Sequence, residues 1–228
     1  HQTDPGVFYE QQDLWEFAEI YYRQGEKPRP MDPYYLTVGL VEENDPEFLL
    51  LLPLSPTRRD NLRALALGRS DPAHRGEIVL YRFPEGEHVY GPSQIATVID
   101  QDTDIAQQFT LWDQAGSEVA RGRMIILPMD GKIVYFQPVY LRSTASSRFP
   151  ELKRIIASEG TVAVMDVSVE KALEKMEARL AKRARQAEDR FSGKGEDPGP
   201  ASQAPEAQPP DTVPEAPEPA QPKAVPAI

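Results

Sequence analysis

Two apolar runs, Tyr34-Tyr35-Leu36-Thr37-Val38-Gly39-Leu40 and Phe48-Leu49-Leu50-Leu51-Leu52, flank the polar Glu42-Glu43-Asn44-Asp45-Pro46. This pattern predicts a β-hairpin. The uninterrupted second run predicts a strand buried on both faces. Ser55-Pro56 then offers an N-cap followed by proline at the first helical position, and Leu62, Leu65 and Ala66 supply an apolar side, so a helix is predicted from about Pro56 to Leu67. Ile78 to Phe83 is a further short strand. Beyond Gly91-Pro92, the spacing of Ile95, Val98, Ile99, Ile105, Phe109 and Trp112 predicts two short helices within Ser93 to Gln114.

Val119 to Leu127 and Ile133 to Leu141 flank Asp130-Gly131, a pair suited to the positive φ angles of a type I′ turn. Pro138 lies inside the second of these strands and has no N–H for a ladder, so the strand should be an edge or carry a bulge there. Ile155 to Ser158 and Val162 to Met165, around Glu159-Gly160, form a last hairpin. Ser168 to Arg190 reads as a helix, with Ser168 as N-cap, Glu170, Glu174 and Glu177 early, and Arg179, Lys182, Arg183 and Arg185 later, in keeping with the helix dipole. Its apolar positions Leu173, Met176, Leu180, Ala184 and Ala187 fall within a stripe of about 80°. Such a narrow seam either lies on the globular domain or pairs two copies as a short coiled coil.

Towards the N-terminus, Phe8 to Tyr22 reads as helical around Leu14, Trp15, Phe17, Ala18 and Tyr21, and Arg23 to Pro33 as a linker or extended crossing segment. Hairpins outnumber helical crossovers. The fold class expected is therefore α+β: a mainly antiparallel sheet with hairpins and short helices, a C-terminal helix and a disordered Pro/Ala/Glu-rich tail. The organisation expected is an aromatic helical segment and linker (1–33), an α+β core (34–167), a charged helix (168–191) and an acidic proline-rich tail (192–228). That tail has no aromatic residue and too little large aliphatic surface to offset its ordering entropy.

The 228 residues allow one sizeable core. No stretch approaches the roughly 20 apolar residues of a membrane span. A net charge of −11 argues against nucleic acid as a partner, because that binding depends on Lys and Arg neutralising phosphates. The absence of cysteine removes disulfides, thiolate metal sites and cysteine nucleophiles. His1 is not a start methionine, and the chain reads as a piece of a longer polypeptide.

Little chemistry is written in motifs. His1, His74 and His88 have no metal-ligand spacing, and GxSxG, SxxK and GxxxxGK[ST] are absent. Arg58-Arg59 and Arg63 read as a solvated helix face interrupted by Asp60. The one suggestive cluster is Asp100-Gln101-Asp102-Thr103-Asp104, whose alternate carboxylates match the start of a calcium loop. Ile105 stands where such a loop needs Gly, and Leu111 where it needs Glu. Asp102 or Asp104 as a helix N-cap explains the cluster as well. No residue is assigned a catalytic, cofactor-binding or metal-binding role, and no cofactor is expected.

Several segments resemble, in order, the C-terminal part of the uncharacterised bacterial membrane-protein family UPF0182. They are Phe8-Tyr9, Asp13-Leu14-Trp15-Glu16, Pro33-Tyr34-Tyr35, Asp60-Asn61, Leu80-Tyr81-Arg82-Phe83-Pro84, Val89-Tyr90-Gly91-Pro92 and Ile99-Asp100-Gln101-Asp102. Leu111-Trp112, Gly122, Tyr135 to Leu141 and Pro150-Glu151-Leu152-Lys153-Arg154 extend the resemblance over about Asp4 to Leu173. It implies N-terminal transmembrane helices ahead of a large soluble region, attachment to the cell membrane, and an extracytoplasmic position for this portion. It brings no activity. The function expected is a non-catalytic interaction or assembly portion, partnered by the membrane through the missing helices and by other proteins or a second copy. The alternatives are a calcium-responsive module at Asp100, Asp102 and Asp104, an enzyme with an unfamiliar carboxylate site, or a transport-associated domain.

Overall fold

The computed structural model describes residues 14–39, 46–84, 86–114, 117–129, 131–143 and 149–191. The chain divides into two compact units, 1–188 and 189–228, and the fold that follows is that of the first. The expected disordered tail at 192–228 and the segment from Phe8 to Asp13 lie outside the described residues.

A first antiparallel sheet is a meander of β4 (Tyr34–Gly39), β5 (Pro46–Pro56), β6 (Ala64–Arg69) and β7 (Ile78–Arg82). The predicted hairpin pairs Tyr34 with Leu51 and Gly39 with Pro46. The short β1 (Trp15–Phe17) pairs further along the same edge of β5, Trp15 with Pro56 and Phe17 with Leu54. A small ribbon of β2 (Glu19–Ile20) and β3 (Arg29–Pro30) follows it. The helix expected over Phe8 to Tyr22 is thus replaced, in its described part, by extended chain. Ala18 and Ile20 are buried while Phe17 and Glu19 are exposed, an alternation of period two that the aromatic content obscured.

The predicted helix from Pro56 to Leu67 is also absent. Pro56 ends β5, Arg58 turns the chain with φ +63°, and the N–H of Arg59 returns to the Pro56 carbonyl at 3.0 Å. Leu65 and Leu67 then point inward at strand spacing, paired with Pro53 and Leu51. A short apolar run suits either period, and here the exposed ladder of β5 decides for the strand. Arg58 and Arg59 accordingly lie in a turn rather than on a helix face.

The second antiparallel sheet runs β12 (Val162–Asp166), β11 (Glu151–Glu159), β10 (Lys132–Ser143), with β9 (Ile125–Met129) and β8 (Ser117–Arg121) sharing the far edge of β10. The two predicted hairpins are present, turning at Gly131 (φ +76°) and Gly160 (φ +55°), although Val119 to Leu127 is two strands rather than one. Pro138 explains the break. Strand β10 is central, and Pro138 falls between its pairing with β9, which ends at Phe136, and with β8, which begins at Val139. Its carbonyl accepts the N–H of Gly122 at 2.8 Å, and its missing donor coincides with the gap. The register against β11 also shifts between Val139 and Tyr140.

Helices α1 (Pro92–Gln101) and α2 (Thr103–Gln114) match the predicted pair. They bring Ile95, Ile99 and Ile105 into one core with Leu51, Leu65 and Leu67 from the first sheet and Ile126, Tyr135 and Ile156 from the second. Helix α3 (Val169–Phe191) covers the opposite face of the second sheet, setting Ala172 and Met176 against Val134, Phe136 and Val164. Ser168 caps it as expected, its Oγ accepting the Lys171 N–H at 3.3 Å. Arg179 donates to the Ala163 carbonyl at 2.8 Å and Arg183 to that of Thr161 at 2.9 Å. Ala184 and Ala187 are exposed, so the seam is packed on the domain only in its first half.

Candidate functional site

The feature that most departs from an ordinary soluble surface is the outer face of the first sheet. Strand β5 alternates strictly, with Leu49, Leu51 and Pro53 inward and Phe48, Leu50, Leu52 and Leu54 outward. Burial on both faces was the expectation from its leucine run; the outward four are only half-covered or exposed. Around them, on the same face, stand Phe17 (53% exposed), Tyr35 (60%), Ile78 (77%) and Leu80. Register makes this one patch. Tyr35 faces Leu50, Leu50 faces Gly68, and Gly68 faces Ile78. Tyr35 also stacks on Phe48 with ring centres 4.9 Å apart. The exposed residues are contiguous, and contiguous apolar patches on otherwise polar surfaces are often interaction sites.

The carboxylate cluster is built differently from a cation site. Asp102 lies between α1 and α2; its Oδ1 accepts the N–H of Ile105 at 3.1 Å, and its Oδ2 takes Arg179 Nη1 of α3 at 2.7 Å. Asp100, two residues back near the end of α1, is held by Arg121 of β8 at 2.8 Å, and Arg121 also donates to the Tyr22 carbonyl at 2.5 Å. Asp104 is exposed in the first turn of α2. The three side chains therefore serve two separate arginines and one helix terminus, and the N-cap assigned to Asp102 or Asp104 belongs to Asp102. Among the described residues no group of three or more metal-ligating side chains is arranged to hold an ion.

Two polar grooves adjoin these pairs. One of about 590 Å³ is lined by Gln94, Thr97, Asp102, Thr103, Arg179 and Arg183. Another, of about 600 Å³, contains Asp100, Arg121, Arg23, Glu118 and Phe109. In both, the cations are already committed to carboxylates or carbonyls. His74 sits 3.2 Å from Glu77, and His88 is exposed at the mouth of a third groove beside Glu87 and Tyr135.

The buried titratable groups are structural. Tyr34 of β4 donates its hydroxyl to the Ile126 carbonyl at 3.1 Å and accepts the Ile126 N–H at 2.7 Å, joining the first sheet to the second. Tyr135 donates to the Tyr90 carbonyl. Burial raises both phenols well above the ordinary tyrosine range. At the far end of the first sheet Arg69 pairs with Glu47, its Nε 2.8 Å from Oε2, and with Glu77 at 3.4 Å. The Arg69 hydrogen bond lowers the Glu47 carboxyl below its ordinary value of 4.5.

Sequence reading missed Phe17, Ile78 and Leu80 as one surface, and missed Arg121, Arg179 and Arg69 as the partners of the acids. The leucine run was the available signal for the surface, since a strand apolar on both sides calls for two covers. The arginines carried none, because their partners lie on other elements.

Fold and geometry together define an antiparallel α+β domain with, among the described residues, two five-stranded sheets, a two-stranded ribbon and three helices, and with one apolar sheet face left partly open. The chain belongs to the UPF0182 family: the model of that name, described as an uncharacterised protein family, matches residues 1–112. It is 52% identical over 191 residues to a UPF0182 protein of Syntrophobacter fumaroxidans, covering 84% of this chain and 22% of that protein. A UPF0182 protein of Nitrosococcus oceani is 45% identical, with 79% and 20% covered, and one of Pelotomaculum thermopropionicum 44% identical, with 77% and 19% covered. The chain thus spans about a fifth of the length of these curated relatives. No solved structure matches it. None of the described helices is long and apolar enough to cross a membrane.

Proposed function

We propose that this chain is a non-catalytic interaction or assembly portion of a larger, membrane-attached bacterial UPF0182 polypeptide, held on the extracytoplasmic side. The observation that carries the reading is the open outer face of the first sheet, where Phe17, Tyr35, Phe48, Ile78 and Leu80 form one apolar patch. Contiguous exposed apolar residues of this kind are often covered by a partner surface in the working state. The engagement of Asp100 and Asp102 by Arg121 and Arg179 supports the same reading, since acids fixed as ion-pair and capping partners serve architecture.

Ile78→Cys tests it, because the chain otherwise lacks cysteine. Maleimide labelling at that position is expected to be fast in the isolated chain and several-fold slower in the intact polypeptide. Equal rates would reject the assembly reading. The side of the membrane is tested separately with an epitope after Ile228: cleavage by protease in intact cells is expected, and protection until lysis would place the portion in the cytoplasm.

A further inference from the structure

The open face has a shape as well as a polarity. Strand β6 turns Ala64, Ala66 and Gly68 to that side; Ala64 is fully buried there, while Ala66 and Gly68 are partly exposed. Register places Ala64 between Leu54 and Arg82, Ala66 between Leu52 and Leu80, and Gly68 between Leu50 and Ile78. Every row thus sets a small residue between two long ones. The result is a trough running along β6, walled by β5 and β7. Its walls stand two strand spacings apart, about 9.6 Å between backbones, a width that receives the side chains of one helix face while the helix body lies above. The trough's open floor, from Ala66 to Gly68, extends about 7 Å, a little more than the rise of one helical turn. Gly68 is not small for lack of room: a β-carbon there would meet Leu50 Cβ at an ordinary 3.6 Å. Its absence deepens the trough.

We propose that an amphipathic helix from the part of the UPF0182 polypeptide outside this chain lies in this trough. The inference rests on the assembly reading and names its occupant. Three observations favour that source. Strand β5 has the uninterrupted apolar sequence of a strand covered on both sides, yet the described residues cover one. The relatives are about five times longer than the matched region, so most of the polypeptide lies outside this chain. A segment tethered in the same polypeptide competes at millimolar effective concentration, ahead of a second copy in dilute solution. The helix presents apolar side chains at i and at i+3 or i+4 to the trough floor. Arg82, exposed at the Ala64 end, favours the C-terminal end of the helix dipole beside it.

The test is site-specific photocross-linking in the intact polypeptide, with p-benzoylphenylalanine replacing exposed Ile78 and, separately, Leu80, and with Glu177 on the exposed side of α3 as control. The expected product runs at monomer mass and joins either probe to one peptide outside this chain. Contact residues on that peptide should be spaced by three or four positions, and the control probe should not capture it. An adduct of twice the mass that maps to this chain would show a second copy in the trough and overturn the helix, leaving the assembly reading intact. Attachment to lipid or to a different protein would likewise overturn the tethered helix. Absence of any adduct, together with unchanged Ile78→Cys labelling, would overturn both.

Discussion

Gly91 precedes α1 with φ −83°, a conformation open to any residue, yet a β-carbon there would lie 1.7 Å from the Asp60 carbonyl oxygen. Its N–H is accepted by Gln94 Oε1 at 2.8 Å, which ties the start of the helix to this close approach. Backbone cannot rotate away as a side-chain tip can, so Gly91→Ala is expected to cost about 3 kcal/mol by urea unfolding. Glu47 makes a prediction in acid. Its folded-state carboxyl is lowered by Arg69, so the contribution to stability is complete above the ordinary value of 4.5 and is lost as pH falls through the lower folded-state value. Unfolding free energies of the native chain and Glu47→Gln should therefore begin to converge at about pH 5.5, ~1 unit above that ordinary value, and meet once the pH has passed below the lowered folded-state value. A constant difference would remove the ion pair from the account. These residue effects were not legible in advance. Asp60 and Gly91, or Arg69 and Glu47, acquire meaning only when strands bring them together.

At the scale of elements, Asp102 serves as cap for α2 and as anchor for α3. Asparagine keeps the capping oxygen and loses the charge, whereas alanine loses both. Asp102→Ala is expected to destabilise by about 1 kcal/mol more than Asp102→Asn, the usual value of a cap. Equal effects would mean that the link to Arg179 carries the whole interaction. Along α3 the burial gradient makes a second prediction: Met176→Ala should cost about 2–4 kcal/mol through the cavity it leaves, and Ala187→Ser about 0.5 kcal/mol through helix propensity alone. Thermal melts of the two variants decide it. Most elements with strong local punctuation were readable, Ser55-Pro56 being the exception. Ser168, the glycines at 131 and 160, and Gly91-Pro92 marked boundaries that the fold retains. The strands at 15–20 and 64–69 were misread as helical because short apolar runs suit both periods until a partner strand selects one.

For the whole molecule, the open sheet face separates stability from association. Ile78 and Leu80 contribute mainly outward, so Ile78→Lys combined with Leu80→Glu should change the stability of the isolated chain by no more than about 0.5 kcal/mol per site. The same pair should sharply reduce binding of an apolar fluorescent dye. A large loss of stability would show that the face is part of the folding core instead.

The sequence by itself determined what short-range physics controls. Turn glycines with positive φ, the Ser168 cap and the α+β balance are present in segments of a few residues and are found in the fold, whereas the cap offered at Ser55-Pro56 is not; the family is borne by similarly short segments. The tertiary structure alone decided which acids meet which arginines, how Tyr34 joins Ile126 across 92 residues, and which side of the leucine strand remains open. The physical reason is that strand pairing and ion pairing depend on neighbours remote in sequence. An apolar residue declares that it needs cover, but only the folded chain shows whether that cover has been supplied.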